Sequence, residues 1–565
     1  MVRASEKICD ALVQAGVKHV FGIPGGGTTP IWASLYERRD KIKPILVRHE
    51  QVAACMADLY GRMTGKPALI MGQGGFMATS AGFGIVEAFL SNSPMLIITD
   101  TSDASMSQHA TYQSATGEYG SWDIVNIMRG MCKYVTYAVN PEEAVTGVYL
   151  AVKHAVTGRP GPAAMVIRNI AASAEVDPAK MPKFYPISGY LPRSMNTSAE
   201  ADIVKASYLI MEAKKPVIIA GNGVHLSRAY RELRELAEVM GIPVATSYTG
   251  KSAFPEVHPL ALGMMGTFGQ KTANAVISEA DLLIVAGCRL SPSDTLFESP
   301  KLIDPSRQKI LQVDIDPRNI GWNFPAEVGL TGDLKAVMND LLNSLKRLEA
   351  GKNVKTEERI KSLAQKKKEM EFCEAPELHS DASPVLPQRI VREIEGATDK
   401  STILTLDAGN NRLWMAHFYR SKEAGSLYAP GGLAGMGWGP AAALAAKLLN
   451  PDRPVLSVCG DGGFAMMTHV LSTCLQYNLP IAFVVMNNSG LGMVRDGQRK
   501  EKYVATEFLK TDFSAIAKAY GCKGVRVEKP AEIGKAVKEA LKANIPTVID
   551  VITELNENHS KITNQ

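Results

Sequence analysis

Pro454-Val455-Leu456-Ser457-Val458-Cys459-Gly460-Asp461-Gly462-Gly463-Phe464 is the stretch on which the reading of this chain turns. An apolar run of strand length enters a glycine-rich turn, and a helix is expected from about Phe464. A second buried-type strand, Ile481–Met486, follows, with Asn487-Asn488-Ser489-Gly490 at its end. Strand, turn, helix and strand make a parallel crossover unit, which brings Asp461 and Asn488 out at the same edge of one sheet. Glycine lets the backbone approach a bound group closely, and the amides of a helix start favour negative charge. A carboxylate, an amide oxygen and a backbone carbonyl are hard ligands that suit Mg2+ bridging two phosphates. Taken alone, Gly-Asp-Gly-Gly reads equally as a tight turn with an incidental Asp; the paired loops give the metal-diphosphate reading its force.

The same alternation of strand-length apolar runs and helical stretches extends along the 565 residues, predicting an α/β chain of three consecutive doubly wound parallel-sheet domains. The first spans residues 1–172, with strands His19–Ile23, Ile45–Val47, Ala68–Met71, Met95–Thr99 and Ala163–Ile167 and helices His49–Met63 and Met77–Leu90. A Pro-containing linker, Glu175–Pro192, leads to a middle domain over residues 196–348, with strands Pro216–Ala220, Pro243–Thr246, Leu282–Ala286 and Ile310–Asp314. A charged, helical connector, Gly351–Glu371, precedes the third domain over residues 384–553, with strands Ile403–Leu406, Pro454–Cys459, Ile481–Met486, Gly524–Val527 and Thr547–Val551. The first and third domains read as one architecture used twice.

Composition is that of a globular protein, with 46% hydrophobic and 21% charged residues. The formal charge of +5 is dispersed, and no basic stripe with interleaved aromatics tracks a nucleic-acid backbone. Lys366-Lys367-Lys368 lies among glutamates and reads as a solvated helix face. Eight scattered cysteines, without a C-x-x-C pair, read as reduced thiols of a cytoplasmic protein. Residues 1–16 read as an amphipathic helix carrying Glu6 and Asp10, not a signal peptide, and no apolar run is long enough for a membrane span; a removed leader in a longer precursor stays open.

The paired loops match the G-D-G-x(24–27)-N-N signature, and the chain resembles thiamine-diphosphate enzymes, specifically the acetolactate synthase large-subunit family, over nearly its whole length. Gly431-Gly432-Leu433-Ala434-Gly435-Met436-Gly437-Trp438-Gly439 is similar to the family's G-G-L-G-x-M-G-F-G, whose Met supports the bent cofactor; by itself it is also a plain Gly-rich loop. Asp407-Ala408-Gly409-Asn410-Asn411 stands where the family has D-x-G-Q-H against the diphosphate, and Leu491-Gly492-Met493-Val494-Arg495 follows L-G-M-V-[KR]. The resemblance implies thiamine diphosphate held by Pro24, Gly26, Glu50, Asn410, Asn411, Gly435, Met436, Asp461, Gly462, Gly463, Asn488, Gly490, Leu491, Gly492 and Met493, with Mg2+ on Asp461, Asn488 and Gly490.

Arg48-His49-Glu50 resembles the family's R-H-E, which implies that Glu50 bonds N1' of the aminopyrimidine and promotes proton loss from C2. A buried carboxylate suits that task because desolvation raises its pKa; a Glu stabilising a helix N-terminus is the plainer reading of the same residue. His49 is open between a structural role and a proton carrier. Gly22-Ile23-Pro24-Gly25-Gly26-Gly27 resembles the family's Y-P-G-G loop. Tyr112-Gln113 matches its F-Q pair and makes Gln113 a catalytic candidate. Gly26, Phe76, Gln113 and Met493 form the expected substrate pocket.

The implied reaction decarboxylates a 2-oxo acid such as pyruvate and ligates the remaining fragment to a second carbonyl, in a homodimer or homotetramer with active sites between chains. A regulatory small subunit is left open. Departures cluster at the acceptor. Gly287-Cys288-Arg289-Leu290-Ser291-Pro292-Ser293 keeps only the first Arg of G-A-R-F-D-D-R; Asp496-Gly497-Gln498 replaces Q-W-Q; and Gly72-Gln73-Gly74-Gly75-Phe76-Met77-Ala78 replaces S-G-P-G-A-T-N. A non-ligating decarboxylase, a diketone lyase or hydrolase, and a flavin-linked oxidase therefore stay open, although His109 stands without the adjacent His of many decarboxylases. An inactive structural relative is the remote alternative. Gly221-Asn222-Gly223, Gly263-Met264-Met265-Gly266, Asp314-Ile315-Asp316 and Gly332-Asp333 stand where relatives bind FAD or another ADP group, so FAD is open against ordinary structural turns.

Overall fold

The structure is a computed structural model that describes residues 1–103, 111–118, 120–192, 194–353, 355–500 and 502–564; His109 lies outside the described residues. Among them the chain builds three six-stranded parallel sheets. The first contains β1 (His19–Gly22), β2 (Lys43–Leu46), β3 (Ala68–Met71), β4 (Met95–Asp100), β5 (Tyr134–Ala138) and β6 (Pro162–Ile167) in the order β2-β1-β3-β4-β6-β5. The middle sheet contains β7 (Pro216–Ala220), β8 (Val244–Thr246), β9 (Ala261–Met264), β10 (Leu282–Ala286), β11 (Lys309–Asp314) and β12 (Val328–Thr331) in the order β9-β8-β7-β10-β11-β12. The last contains β13 (Ile403–Leu406), β14 (Leu427–Tyr428), β15 (Val455–Gly460), β16 (Ala482–Asn487), β17 (Lys523–Val527) and β18 (Thr547–Ile552) in the order β14-β13-β15-β16-β18-β17. The first and last sheets thus share one topology, and the middle sheet has the order of a dinucleotide-binding fold.

Four strands of these sheets absent from the sequence reading, β5, β9, β12 and β14, all lie at sheet edges, and a separate two-stranded antiparallel pair, Val2–Arg3 with Glu175–Val176, is absent from it too. Central strands such as β3, β4 and β6 are buried at every residue and read as unbroken apolar runs, whereas β12 alternates buried and exposed residues around Gly329 and β14 has only two residues. The expected helix Met77–Leu90 is two helices, Gly74–Ala78 and Gly82–Ser91. The helix expected near Phe464 starts at Asp461, directly after β15. All eight cysteines are buried and none is in a disulfide. Among the described residues no helix is long and apolar enough to cross a membrane.

The chain divides into two compact units. One comprises residues 1–194, 430–449 and 469–479; the other comprises 195–429, 450–468 and 480–565. The middle and last sheets share the second unit, where Lys251 Nζ lies 2.7 Å from both Glu256 oxygens and Glu256 also accepts the Ser421 N–H at 2.9 Å. In the first unit, helix Trp438–Leu449 packs along helix Glu50–Thr64, so a segment from the third block of sequence belongs to the body of the first.

That packing surrounds a buried charge cluster. Arg62 Nη2 lies 2.7 Å from both Asp58 and Glu87, and the three side chains are at most 3% exposed. Burial works to raise the Glu87 carboxyl, but Arg62 and the N–H groups of Ala434, Gly432 and Gly431 outweigh it and hold the group at about 2. An unfolded Glu titrates at about 4.3. The stabilisation tied to this depression is therefore complete above the unfolded value and disappears as pH falls through the folded one. Urea-unfolding midpoints of the wild-type chain should decline as pH drops from about 4 toward 2, and Glu87→Gln should show a shallower decline over the same interval.

Candidate active site

In the last sheet the order reverses between β13 and β15, so the loops at their C-terminal ends diverge and leave a crevice. Pairing of β13 with β15 and of β15 with β16 delivers three loops to that edge: residues 407–411, 461–463 and 488–493. Asn487 is structural, with its Nδ2 donating to Asp550 Oδ1 at 2.8 Å and to the Thr511 carbonyl at 2.9 Å. Asn488 is half-buried and one residue further out. Asp461 Oδ2 and Asn488 Oδ1 each accept from the same Gly490 N–H at 3.2 Å, so the two side-chain oxygens assigned to a metal converge on one point. Ser489, at φ 57°, makes the turn, and Leu491 N to Thr506 O and Phe508 N to Ser489 O, both 2.7 Å, secure the loop.

The residues fit a cation and a diphosphate. Burial raises the Asp461 carboxyl to about 6 despite hydrogen bonds from Gly462, Ser489 and Gly490, and no Lys, Arg or His among the described residues pairs with it. A desolvated carboxylate without a protein cation is costly unless an ion compensates it. Asp461, Asn488 and the Gly490 carbonyl would hold that ion. Among the described residues the buried Oδ1 atoms of Asn410 and Asn411 have no hydrogen-bond partner, and a Cβ on Gly492 would meet Asn410 Nδ2 at 3.1 Å and Asn488 Nδ2 at 3.3 Å. Gly462 is similarly confined, its Cβ position lying 3.2 Å from Leu491. Gly463 is in the first turn of helix Asp461–Met467, and Met493 packs at the edge of the core. Asn410 itself is held by Asp496, whose Oδ2 accepts its Nδ2–H at 2.8 Å and also lies 2.7 Å from His559 Nδ1.

In the first unit, Glu50 opens helix Glu50–Thr64, with His49 as N-cap accepting the Gln51 N–H at 3.2 Å. Glu50 is half-buried, less enclosed in the single chain than the buried carboxylate expected, and its carboxylate has no partner among the described residues. His49 lies 5.8 Å, ring to ring, from His469. Pro24, Gly26 and Gln113 share the C-terminal edge of the first sheet, which Asp100 at the end of β4 knits together. Its buried carboxylate accepts the N–H groups of Gly27, Gly74 and Ser102 at 2.9, 3.0 and 2.9 Å. Gly26, at φ 53°, passes so close that its Cβ would lie 2.8 Å from Gln73 Cγ. Gln73 Nε2 donates to Gln113 Oε1 at 2.6 Å; Gln113 sits at φ 65° and is exposed, as is Phe76. Gly435 packs on Phe83, with half-buried Met436 beside it.

Asp100, Asp496–His559 and the Arg62 cluster escaped the sequence reading. The cluster alone had a local signal, since Asp58 and Arg62 are an i, i+4 pair in an otherwise alanine-rich helix. In the middle domain, Gly221 and Gly223 are accounted for by packing, because their Cβ positions would fall 2.3 Å from Gly287 O and 2.7 Å from Gly287 Cα.

Comparison with known families places a thiamine pyrophosphate enzyme N-terminal TPP binding domain on residues 2–120, a central domain of such enzymes on 203–341 and a C-terminal TPP binding domain on 407–551. The class is thus a thiamine-pyrophosphate enzyme. A probable acetolactate synthase large subunit of Methanocaldococcus jannaschii is 36% identical over 98% of this chain and 92% of its own length. The acetolactate synthase large subunit of Cyanidium caldarium is 32% identical, over 98% and 93%. The Escherichia coli isozyme 3 large subunit is 29% identical, over 96% and 92%. The chain belongs to the acetolactate synthase large-subunit family of these enzymes.

Removing the anchor of Asn410 should loosen the segment at residues 407–411. Asp496→Ala is expected to weaken thiamine-diphosphate binding, measured calorimetrically in the presence of Mg2+, by roughly tenfold, the scale of one hydrogen bond to a charged group. Asp496→Asn, which keeps an acceptor oxygen, should weaken it less.

Proposed function

We propose that this chain uses thiamine diphosphate and Mg2+ to decarboxylate a 2-oxo acid such as pyruvate and to ligate the retained fragment to a second carbonyl, yielding a product such as acetolactate. The observation that carries this reading is the convergence of Asp461 Oδ2 and Asn488 Oδ1 on one point at the diverging strand ends, in a chain of this family. When bound, thiamine diphosphate supplies a nucleophilic C2 and an electron sink for the departing carboxyl group. Asp461, Asn488 and the Gly490 carbonyl hold the metal and thereby anchor the diphosphate. Glu50, whose carboxylate has no partner among the described residues, would hydrogen-bond the pyrimidine and keep a proton available there. Gln113, positioned through Gln73, offers its amide N–H to the substrate. Gly26, Phe76 and Met493 shape the pocket.

The reading places the site between two chains of a cytoplasmic homodimer or tetramer, Glu50 of one facing Asp461 of the other. Mixing the inactive variants Glu50→Gln and Asp461→Ala should then restore activity, because the hybrid contains one intact pair; a site built within one chain restores none. Ser293 and Gly497, both exposed, stand where the family has Arg and Trp, which supports an acceptor pocket lined differently from the family's. Close packing of Gly221 and Gly223 on Gly287 gives these glycines a structural reason and leaves FAD open, and no step proposed here is routed through a flavin; visible flavin absorbance of the purified protein would show one bound.

Glu50→Gln is expected to abolish exchange of the cofactor's C2 proton while leaving the cofactor bound; unaltered exchange would remove Glu50 from the chemistry. Wild-type protein supplied with pyruvate, thiamine diphosphate and Mg2+ should form acetolactate. Acetaldehyde would instead define a decarboxylase, acetate with peroxide an oxidase, and no product a different 2-oxo acid or diketone.

A further inference from the structure

The turn at residues 431–436 is wrapped around a carboxylate. Glu87, fully buried in helix Gly82–Ser91, accepts the N–H of Gly431 at 3.0 Å and of Gly432 at 2.9 Å on Oε1, and of Ala434 at 2.8 Å on Oε2. The far side of the turn is tied by Trp438, whose Nε1 donates to Asp58 at 2.8 Å. Gly435 and Met436 thus lie between two carboxylate anchors. Asp58 and Arg62 belong to the helix that Glu50 opens, and Arg62 bridges Asp58 to Glu87.

Charge counting shows why the turn must sit where it does. Two buried carboxylates share one guanidinium, so the cluster has one more carboxyl group than it has cations. Burial first, and then the neighbouring Glu87, push the Asp58 carboxyl up against the pull of Arg62, whereas Glu87 stays ionised. The three backbone N–H groups, together with the Ser91 hydroxyl that donates to Oε1 at 2.8 Å, help make a second buried anion tolerable. Backbone strain points the same way. Ala434 has φ 59°, a left-handed conformation unfavourable for a residue with a Cβ, and it stands where the family pattern has glycine. A glycine would enter that conformation unaided, but alanine needs an external hold, which the Glu87 Oε2 bond to its N–H supplies.

We propose that Glu87 is a positioning residue that forms the 431–436 turn in advance of the cofactor and, through Arg62 and Asp58, couples it to the helix bearing Glu50. Its relevance to the cofactor rests on the proposed use of thiamine diphosphate, together with the place beside that cofactor that the family resemblance implies for Met436; its hold on the turn does not. Cofactor binding then meets a turn already ordered, so loss of Glu87 raises the concentration of cofactor required more than it slows the loaded enzyme.

Two readouts on the full-length protein test this. Hydrogen–deuterium exchange should show peptides covering residues 430–437 exchanging faster in Glu87→Gln than in wild type, with thiamine diphosphate absent. Calorimetry should show thiamine diphosphate binding weakened by roughly tenfold, with kcat at saturating cofactor within about twofold of wild type. Unchanged exchange, or unchanged binding alongside a lower melting temperature, overturns the proposal, since a purely structural charge cluster predicts that result. If Glu87→Gln does not fold, Gly432→Ala serves instead. Its Cβ would lie 2.7 Å from Leu90 Cβ and 2.8 Å from the Glu87 carbonyl, lifting the turn away with the carboxylate intact, and the same two changes are expected. A wild-type chain that fails to bind thiamine diphosphate sinks the functional reading, while a wild-type chain that binds beside variants that bind equally well sinks this inference alone.

Discussion

Parallel pairing of β13, β15 and β16 is the constraint on which the catalytic end of this protein depends. Each strand needs its neighbours' hydrogen bonds along its length, and in a parallel sheet all strands end at the same edge. The register places Gly460 opposite Met486, so Asp461 and Asn488 leave adjacent strands nearly level with each other. Their oxygens then meet at the Gly490 N–H without any long side chain reaching across the crevice. The first sheet uses the same order, and there Asp100 gathers the loops after β1, β3 and β4 around its carboxylate. One topology thus produces two edges rich in backbone amides, one arranged around a candidate metal ligand and the other around an internal anion.

Buried carboxylates recur as organisers of loops. Asp100, Glu87 and Asp496 each hold a turn or a helix start by accepting from its backbone or side-chain N–H groups. A loop has no ladder of its own hydrogen bonds, so a buried acceptor with several lone pairs is an efficient way to order it. Asp461 is built differently. It has backbone donors but, among the described residues, no cationic side chain, and burial leaves its carboxyl at about 6, whereas Glu87, with Arg62 beside it, is held at about 2. The contrast separates a carboxylate satisfied by the protein from one that the described residues leave under-compensated.

Legibility in the sequence followed burial. Central strands buried on both faces announce themselves as apolar runs, and β3, β7, β10 and β13 lie where those runs fall. Edge strands β5, β9, β12 and β14 are half-exposed, glycine-containing or very short, and their pairing is decided by a neighbour distant in sequence. The Asp461 and Asn488 loops were readable because each follows a recognisable strand at a spacing that one crossover helix sets. Glu87 was not, for it lies in an apolar helix and its partners at 431–434 are more than three hundred residues away.

By itself the sequence determined the class of fold, the alternation of strand and helix in three domains, and the residue types gathered at the strand ends, because hydrophobic period and turn chemistry are local properties. Only the tertiary structure decided that residues 430–449 and 469–479 pack with the first sheet, that Ala434 is held in a left-handed conformation by Glu87, and that Asp496 joins Asn410 to His559. Those outcomes depend on which buried charge finds which donor once the chain is compact, and the low dielectric of the interior makes that choice of partner decisive.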